Sequence, residues 1–277
     1  MAAPVVASAL SRRADGDPAW HAVAVRLSPW HDLFHARRCE AALRDSDGEP
    51  TTERKRARLD EAHRSAEEAC RLVPCRAAHH VNLGRALLEL ARSGQAEADA
   101  ALAAFDRALE LDPCNSLTFA DAARAATALR RLDAAERYVR RGLEIDPGLG
   151  PLHAELGTAL LARSTVTVPI DLTLLAQAEV ALRDALAMDW HGDTERLDRA
   201  RLVVALALVQ RGGAAEALVH IEEVRRRRPD WPSAGWMAGV ALERGGRRDE
   251  ALRLYRAVLR HWPDNPQAAA GVARLTK

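Results

Sequence analysis

The stretch ALAAFDRALELDPCNSLTFADAARAATALRRLDAAERYVRRGLEIDPG, Ala101 to Gly148, repeats its own phrasing. AFDRALELDP at Ala104–Pro113 returns as YVRRGLEIDP at Tyr138–Pro147, and the two closing prolines stand 34 residues apart. Two amphipathic segments fit inside that interval. A fixed period of this length, with two helical patterns per period, is the signature of a helical repeat array, in which each unit buries its apolar face against the next.

Prolines extend the pattern along the chain. Pro29, Pro74, Pro113, Pro147, Pro229 and Pro263 each stand where a helix must stop, because proline cannot continue the hydrogen-bond ladder and restricts the residue before it. Trp190 occupies the place where one more is due. Anchored on these positions, the chain reads as six helix pairs at about 32–74, 77–113, 116–147, 150–190, 198–229 and 232–263. A half-repeat ending at Leu27 precedes them, and a capping helix at 266–276 follows. Residues 1–16 are read as a flexible terminus and 17–277 as one repeat domain.

The eighth residue of each first helix is small: Cys39, Gly84, Ala123, Gly157, Ala205 and Gly239. Close approach of a second helix demands that. The twentieth residue is alanine throughout, at Ala62, Ala101, Ala135, Ala178, Ala217 and Ala251. Four residues later come Phe105, Val139, Leu182, Ile221 and Tyr255, with Ala66 the weak case. This agreement resembles the tetratricopeptide repeat family over residues 18–276. The resemblance implies an all-α, right-handed α-solenoid of six helix pairs with the half-repeat and cap.

Composition agrees with a helical array. Apolar residues make up 48% of the 277 but aromatics only 4%, and the formal net charge is +1. Alanine and leucine favour helix. The near-neutral balance gives no field toward nucleic acid or an anionic membrane. Lys55 and Lys277 are the only lysines, a mark of high-GC, bacterial coding. No apolar run reaches the ~18 residues of a membrane span, and MAAPVVASAL lacks the basic start of a signal peptide. These features point to the cytoplasm, with a periplasmic location or tethering through a membrane-protein partner as alternatives. The 4 cysteines are too few for a secreted disulfide framework in a chain this long.

Insertions fall between the two helices of a pair. Segment 45–57 is polar and predicts a mobile loop. Segment 93–100 predicts lengthening of both flanking helices. Segment 163–175 contains the β-branched run Ser164–Val168, which favours an extended, strand-like conformation. A further addition, 191–197, lies between pairs.

Candidates for chemistry are few. Cys70, Cys75, His79 and His80 lack the spacing of a zinc knuckle, so no metal is expected. His35, His80 and His153 each take the fourth place of a first helix, where Phe119 also stands, and so read as packing residues. No nucleophile elbow, zinc helix or phosphate loop accompanies them. The chain is read as no enzyme, with no catalytic residue and no cofactor; an enzymatic alternative would centre on His153 and Glu155. Arg225–Arg228 reads as the positive close of a helix beside Glu222, Glu223 and Asp230, where it meets the macrodipole, and not as a nucleic-acid patch. Trp30, Trp190, Trp231 and Trp262 fall at turns between pairs and predict wedges there.

The family resemblance implies a concave groove built by the first helices, holding a protein or peptide partner. Its positions carry over to Ala36, Glu40, Val81, Arg85, Leu88, Ala120, Arg124 and Thr127. Further on they fall at Ala154, Thr158, Leu161, Leu202, Leu206, Gln210, Trp236, Val240 and Arg244. Arg85 and Arg124 are read as the charges that grip an acidic group, and Leu202, Leu206 and Trp236 as the apolar end. The Lys and Asn of the family's carboxylate clamp are absent, so a chaperone co-factor is not implied. The expected function is a non-catalytic interaction scaffold. VRLSPWHDLFHARRCEAAL, LDEAHRSAEEACRLVP, AHHVNLGRALLELA and ALELDPCNSLTFADAARAATALRRLDAA, within 15–160, also resemble the soluble repeat region of bacterial O-antigen ligase or polymerase proteins. That likeness implies an alternative role in cell-surface polysaccharide assembly.

Overall fold

The computed structural model describes residues 18–94, 98–166 and 169–276. Fourteen helices occur among them: α1 (Pro18–Leu27), α2 (Asp32–Ser46), α3 (Thr52–Leu72), α4 (Ala77–Arg92), α5 (Ala98–Leu111), α6 (Ser116–Ala128) and α7 (Leu132–Ile145). They continue as α8 (Gly150–Ser164), α9 (Leu172–Ala187), α10 (Thr194–Gln210), α11 (Ala214–Arg227), α12 (Pro232–Arg244), α13 (Arg248–His261) and α14 (Pro266–Leu275). There is no strand among the described residues, one isolated bridge between Leu149 and Asp189 excepted. The expected flexible terminus at 1–16 lies outside them. The chain forms two compact units, Met1–Leu129 and Arg130–Lys277.

Helix ends follow local chemistry. Side chains of Thr51, Asn115, Asp171, Asp193 and Asn265 accept from backbone amides of the first turn that would otherwise lack partners. Pro151, Pro232 and Pro266 open helices where their missing amide costs nothing. Gly94, Gly212 and Gly246 take positive φ just after α4, α10 and α12, and Arg130 takes φ 61° at the same place after α6.

Packing is set by the small-residue register. All six alanines of the twentieth position are fully buried, and the large residues four places later are too. Glycine at the eighth position makes room for them. A methyl added to Gly84 would lie 2.8 Å from Phe105, one on Gly157 2.5 Å from Leu182 and one on Gly239 2.5 Å from Tyr255. In unit 1, α2 packs on α3 and α4 on α5. In unit 2, α8 packs on α9, α10 on α11 and α12 on α13, with α14 closing on α13. First helices also touch their successors: α2–α4 and α4–α6 in unit 1, α8–α10, α10–α12 and α12–α14 in unit 2.

The insertions correct several expectations. Most of 45–57 is helical: α2 runs to Ser46 and α3 starts at Thr52, because Thr51 caps the good helix formers behind it. α4 is lengthened to 16 residues against 13 in α6, whereas α5 has the same 14 as α7; residues 95–97 lie outside the described range. The run at 164–168 begins as helix and not as strand. Ser164 ends α8 and Thr165 follows in the turn, each hydroxyl donating to the carbonyl three residues back. Thr167 and Val168 lie outside the described residues. α10 starts at Thr194, four residues ahead of the expected start at Asp198, because Asp193 caps Arg196.

The tryptophan expectation also splits. Trp190 is buried, donates from Nε1 to Ala185 O at 2.8 Å and sits against Gly150, where a methyl would clash at 2.7 Å. Trp262 packs into the apolar cluster around Tyr255. Trp231 lies under two guanidinium groups, Arg199 at 5.1 Å and Arg228 at 5.5 Å. Trp30 wedges nothing and is 65% exposed. The core seat beside Ala24 and Val25 goes to Phe34, whose ring stacks on His31.

Candidate functional site

The face made by the first helices differs between the two units. On the unit 1 face, polar side chains bond to one another. Glu40, ninth in α2, accepts from Asn82 Nδ2, sixth in α4, at 3.0 Å. Arg85, ninth in α4, donates twice to Asp121, sixth in α6, at 3.1 and 2.5 Å, and Arg124 stands 3.7 Å from the same carboxylate. At the start of these helices Asp32 accepts from the buried His79 at 2.8 Å and pairs with Arg76 at 2.7 Å. Burial pushes the Asp32 carboxyl up, but the His79 bond and the Arg76 charge outweigh it and leave it below the ordinary range. Val81 is half-buried. Ala36, Leu88, Ala120 and Thr127 are buried and pack within the unit.

In α10 and α12 of unit 2 the corresponding positions are apolar, whereas α8 carries Glu155 and Thr158 there. Leu161 and Leu202 are buried in the main cluster of the unit, and Leu206, Trp236 and Val240 pack partly buried against it. Met237, sixth in α12 and the counterpart of Asp121, belongs to that cluster. Ala154 is buried. Thr158 donates back to Ala154 O at 2.7 Å, and Gln210 is half-buried. Arg244 is exposed at the end of α12. Beside it Glu243 accepts from Tyr255 Oη at 2.8 Å and from Arg274 at 3.1 and 2.9 Å, so the face ends in a carboxylate already matched.

The sequence missed the acceptors. Asp121, Glu243 and Asp198 organise the arginines, and the signal that could have found the first is the ninth-to-sixth pairing seen twice in unit 1. The four-arginine run is one such case. Arg225 pairs with Glu222 at 2.6 Å, and Arg226 pairs with Glu223. Arg227 reaches Asp198 at 3.1 Å and Arg228 does so at 3.3 Å. Asp198 is fully buried and also takes Arg201 at 3.3 Å. The run therefore ties the end of α11 to the start of α10.

The histidines do more than pack. His35, His80 and His153 each donate from Nε2 to the carbonyl of the proline six residues earlier: Pro29 at 2.8 Å, Pro74 at 2.8 Å and Pro147 at 2.7 Å. Each bond satisfies an acceptor left over where a helix closes. Cys70 Sγ lies 3.9 Å from His80 Nδ1, and burial pushes its thiol up to about 11, which holds it protonated and a poor metal ligand. Among the described residues no group of three or more His, Cys, Asp or Glu is arranged to hold a metal ion, and no helix is long and apolar enough to cross a membrane.

Comparison with known proteins follows the same lines. The family described as tetratricopeptide repeat matches residues 202–266 and 236–275. No curated protein matches the chain. Among solved structures, a tetratricopeptide repeat protein from Parabacteroides merdae superposes with a TM-score of 0.68 at 12% identity, over 99% of this chain and 98% of that one. The thermophilic repeat protein TTC0263 of Thermus thermophilus gives 0.57 at 22% identity, over 72% of this chain and 98% of that one. A chain of the APC/C hetero-tetramer Cut9–Hcn1 gives 0.69 at 13% identity, over 95% of this chain but 47% of that one, so the present chain spans about half its length. At these identities the likeness is one of fold. The chain therefore has the fold of a tetratricopeptide-type helical solenoid, and its residues 202–275 carry that family's sequence pattern.

Proposed function

We propose that the chain is a non-catalytic interaction scaffold that holds a segment of a partner protein on the first-helix face of unit 2. The observation that carries this reading is the contrast between the two faces. In unit 1 the groove positions are spent on Arg85–Asp121 and Glu40–Asn82, so Arg85 is no free grip for a ligand. In unit 2 Leu206, Trp236 and Val240 stay partly exposed over an apolar cluster, with exposed Arg244 at one end. A large aromatic in a half-covered apolar setting is the usual anchor of a protein interface. The partner segment that fits lays apolar side chains on Trp236 and Leu206 and a carboxylate near Arg244.

Affinity capture with the intact chain, followed by binding measurements on the captured protein, tests this. Trp236→Ala and Arg244→Glu, each checked by melting temperature, should weaken binding roughly tenfold or more, as hot-spot truncations do. A partner that binds both variants as tightly as the parent would overturn the reading. No geometric feature favours the polysaccharide-assembly role or a site at His153 and Glu155 over this one.

A further inference from the structure

Within unit 2 a cleft of about 500 Å3 opens between α11 and α13. That volume lies inside the ~300–1,000 Å3 range of small-ligand sites. Leu218 of α11, Leu242 of α12 and Leu254 of α13 form its floor. One wall carries Glu222 and Arg225. The other carries Arg247, Glu250 and Arg253.

Each carboxylate is matched within its own wall. Glu222 takes Arg225 at 2.6 Å, and Glu250 takes both nitrogens of Arg247 at 2.7 Å. These pairs run along the walls and not across the cleft. One repeat earlier the corresponding helices are tied together, since Arg183 of α9 reaches Glu216 of α11 at 2.7 Å. Three guanidinium groups thus face two carboxylates; exposed Arg253 makes no ion pair among the described residues, although its charge is felt by Glu250, and it is the excess charge of the cleft.

We propose that this cleft is a second docking site, distinct from the first-helix face, for a partner motif in which a leucine-like side chain stands beside a carboxylate. The leucines supply the apolar seat and Arg253 the complementary charge. A ligand of this kind displaces water from Leu218 and Leu254 without breaking either wall pair.

The test uses the intact chain with its leucine methyl groups isotopically labelled, titrated with N-acetyl-leucine, N-acetyl-leucinamide and acetate. N-acetyl-leucine should shift the methyl signals of Leu218 and Leu254 saturably, with a Kd in the millimolar range that so small a probe allows. The uncharged amide should bind at least about fivefold more weakly and acetate should not saturate. Arg253→Gln, which keeps helix propensity, should bring the acid down to the level of the amide with no change in melting temperature. Equal binding of acid and amide, loss-free binding by Arg253→Gln, or shifts confined to Leu206 on the first-helix face would overturn the proposal.

Discussion

Arg85 of α4 donates from Nε and Nη2 to one oxygen of Asp121 on α6, at 3.1 and 2.5 Å. Asp121 is 2% exposed, so the guanidinium is the counter-charge of a buried carboxylate. Arg85→Ala removes the nearest counter-charge of Asp121 and leaves Arg124 at 3.7 Å. Breaking a buried pair from one side costs more than the pair is worth, and the expected loss is about 2–3 kcal/mol. Urea unfolding should show it. Adding Asp121→Asn should recover part of it in a double-mutant cycle. Unchanged stability in Arg85→Ala would mean the arginine is free to bind elsewhere.

The ring of Tyr255 sits between two glycines, Gly239 of α12 and Gly271 of α14. A methyl on Gly239 would stand 2.5 Å from Cε1, and one on Gly271 would also run into the ring. The ring is held between them, because its hydroxyl is bonded to Glu243 at 2.8 Å. Gly239→Ala and Gly271→Ala should each cost about 1–3 kcal/mol, the usual range for overpacking, despite alanine's better helix propensity. Melting temperature measures this. Gly148→Ala, where a methyl meets nothing closer than 3.8 Å, should stay near the parent value.

The fold was legible because its rules are local. A 34-residue period, a proline at every close but that of Trp190 and alanine at every twentieth position state where helices end and where they touch. The failures have physical causes of two kinds. Trp30 reads as a wedge from its place in the turn, but Phe34 fills the seat, and only the packed structure shows which aromatic wins. Arg85 reads as a groove charge from its helix position, but its neighbour Asp121 comes from the next repeat, 36 residues away. Single positions carry over from a repeat pattern; the pairing between repeats depends on what each particular neighbour holds. Ser164 and Thr165 favoured a strand by β-propensity, and their hydroxyls closed a helix instead.

Arg130 occupies the left-handed region at φ 61°, in the turn where Gly94, Gly212 and Gly246 stand after their own first helices. An L side chain there costs about 1–2 kcal/mol, and glycine removes that strain while adding some freedom to the unfolded chain. Arg130→Gly should therefore stabilise the protein by about 1 kcal/mol. Chemical denaturation is the measurement, and a destabilised variant would show that the arginine side chain contributes more than its backbone costs.

Glu243 joins α12, α13 and α14. Its bond from Arg274 lowers the carboxyl pKa; burial works the other way and the Tyr255 bond adds to the lowering. A carboxylate whose folded pKa is depressed gives stability that is present above its unfolded pKa and lost as pH falls through the folded one. The window therefore opens below the ordinary glutamate value of about 4.3. Hydrogen exchange of α14 should quicken as pH drops into that window, after correction for intrinsic rates. In Glu243→Gln, α14 should already be loose at neutral pH and its protection should change little with acid. Pronounced acid loosening that persists in Glu243→Gln would assign the effect to another carboxylate.

Asp198 collects Arg201, Arg227 and Arg228 at 3.1–3.3 Å, while Arg226 pairs with the partly exposed Glu223. The two arrangements look alike on a charge count and differ in consequence. Glu223 and Arg226 meet near water, where an ion pair is worth about 0–1 kcal/mol and salt screens it. Asp198 has no exposed surface, and its loss takes the shared carboxylate from Arg201, Arg227 and Arg228, of which Arg227 keeps Glu223. Those side chains keep 21–34% exposure and can turn to solvent, which holds the cost of Asp198→Asn to about 1–3 kcal/mol, below that of a sealed pair. Arg226→Ala should change stability by less than about 0.5 kcal/mol, and less again at high salt. Asp198→Asn should stay destabilised at high salt and should elute from heparin at a higher salt concentration than the parent, since the arginines it releases are then free to bind a polyanion. Identical heparin elution of the two proteins would show that the run stays tied down without Asp198.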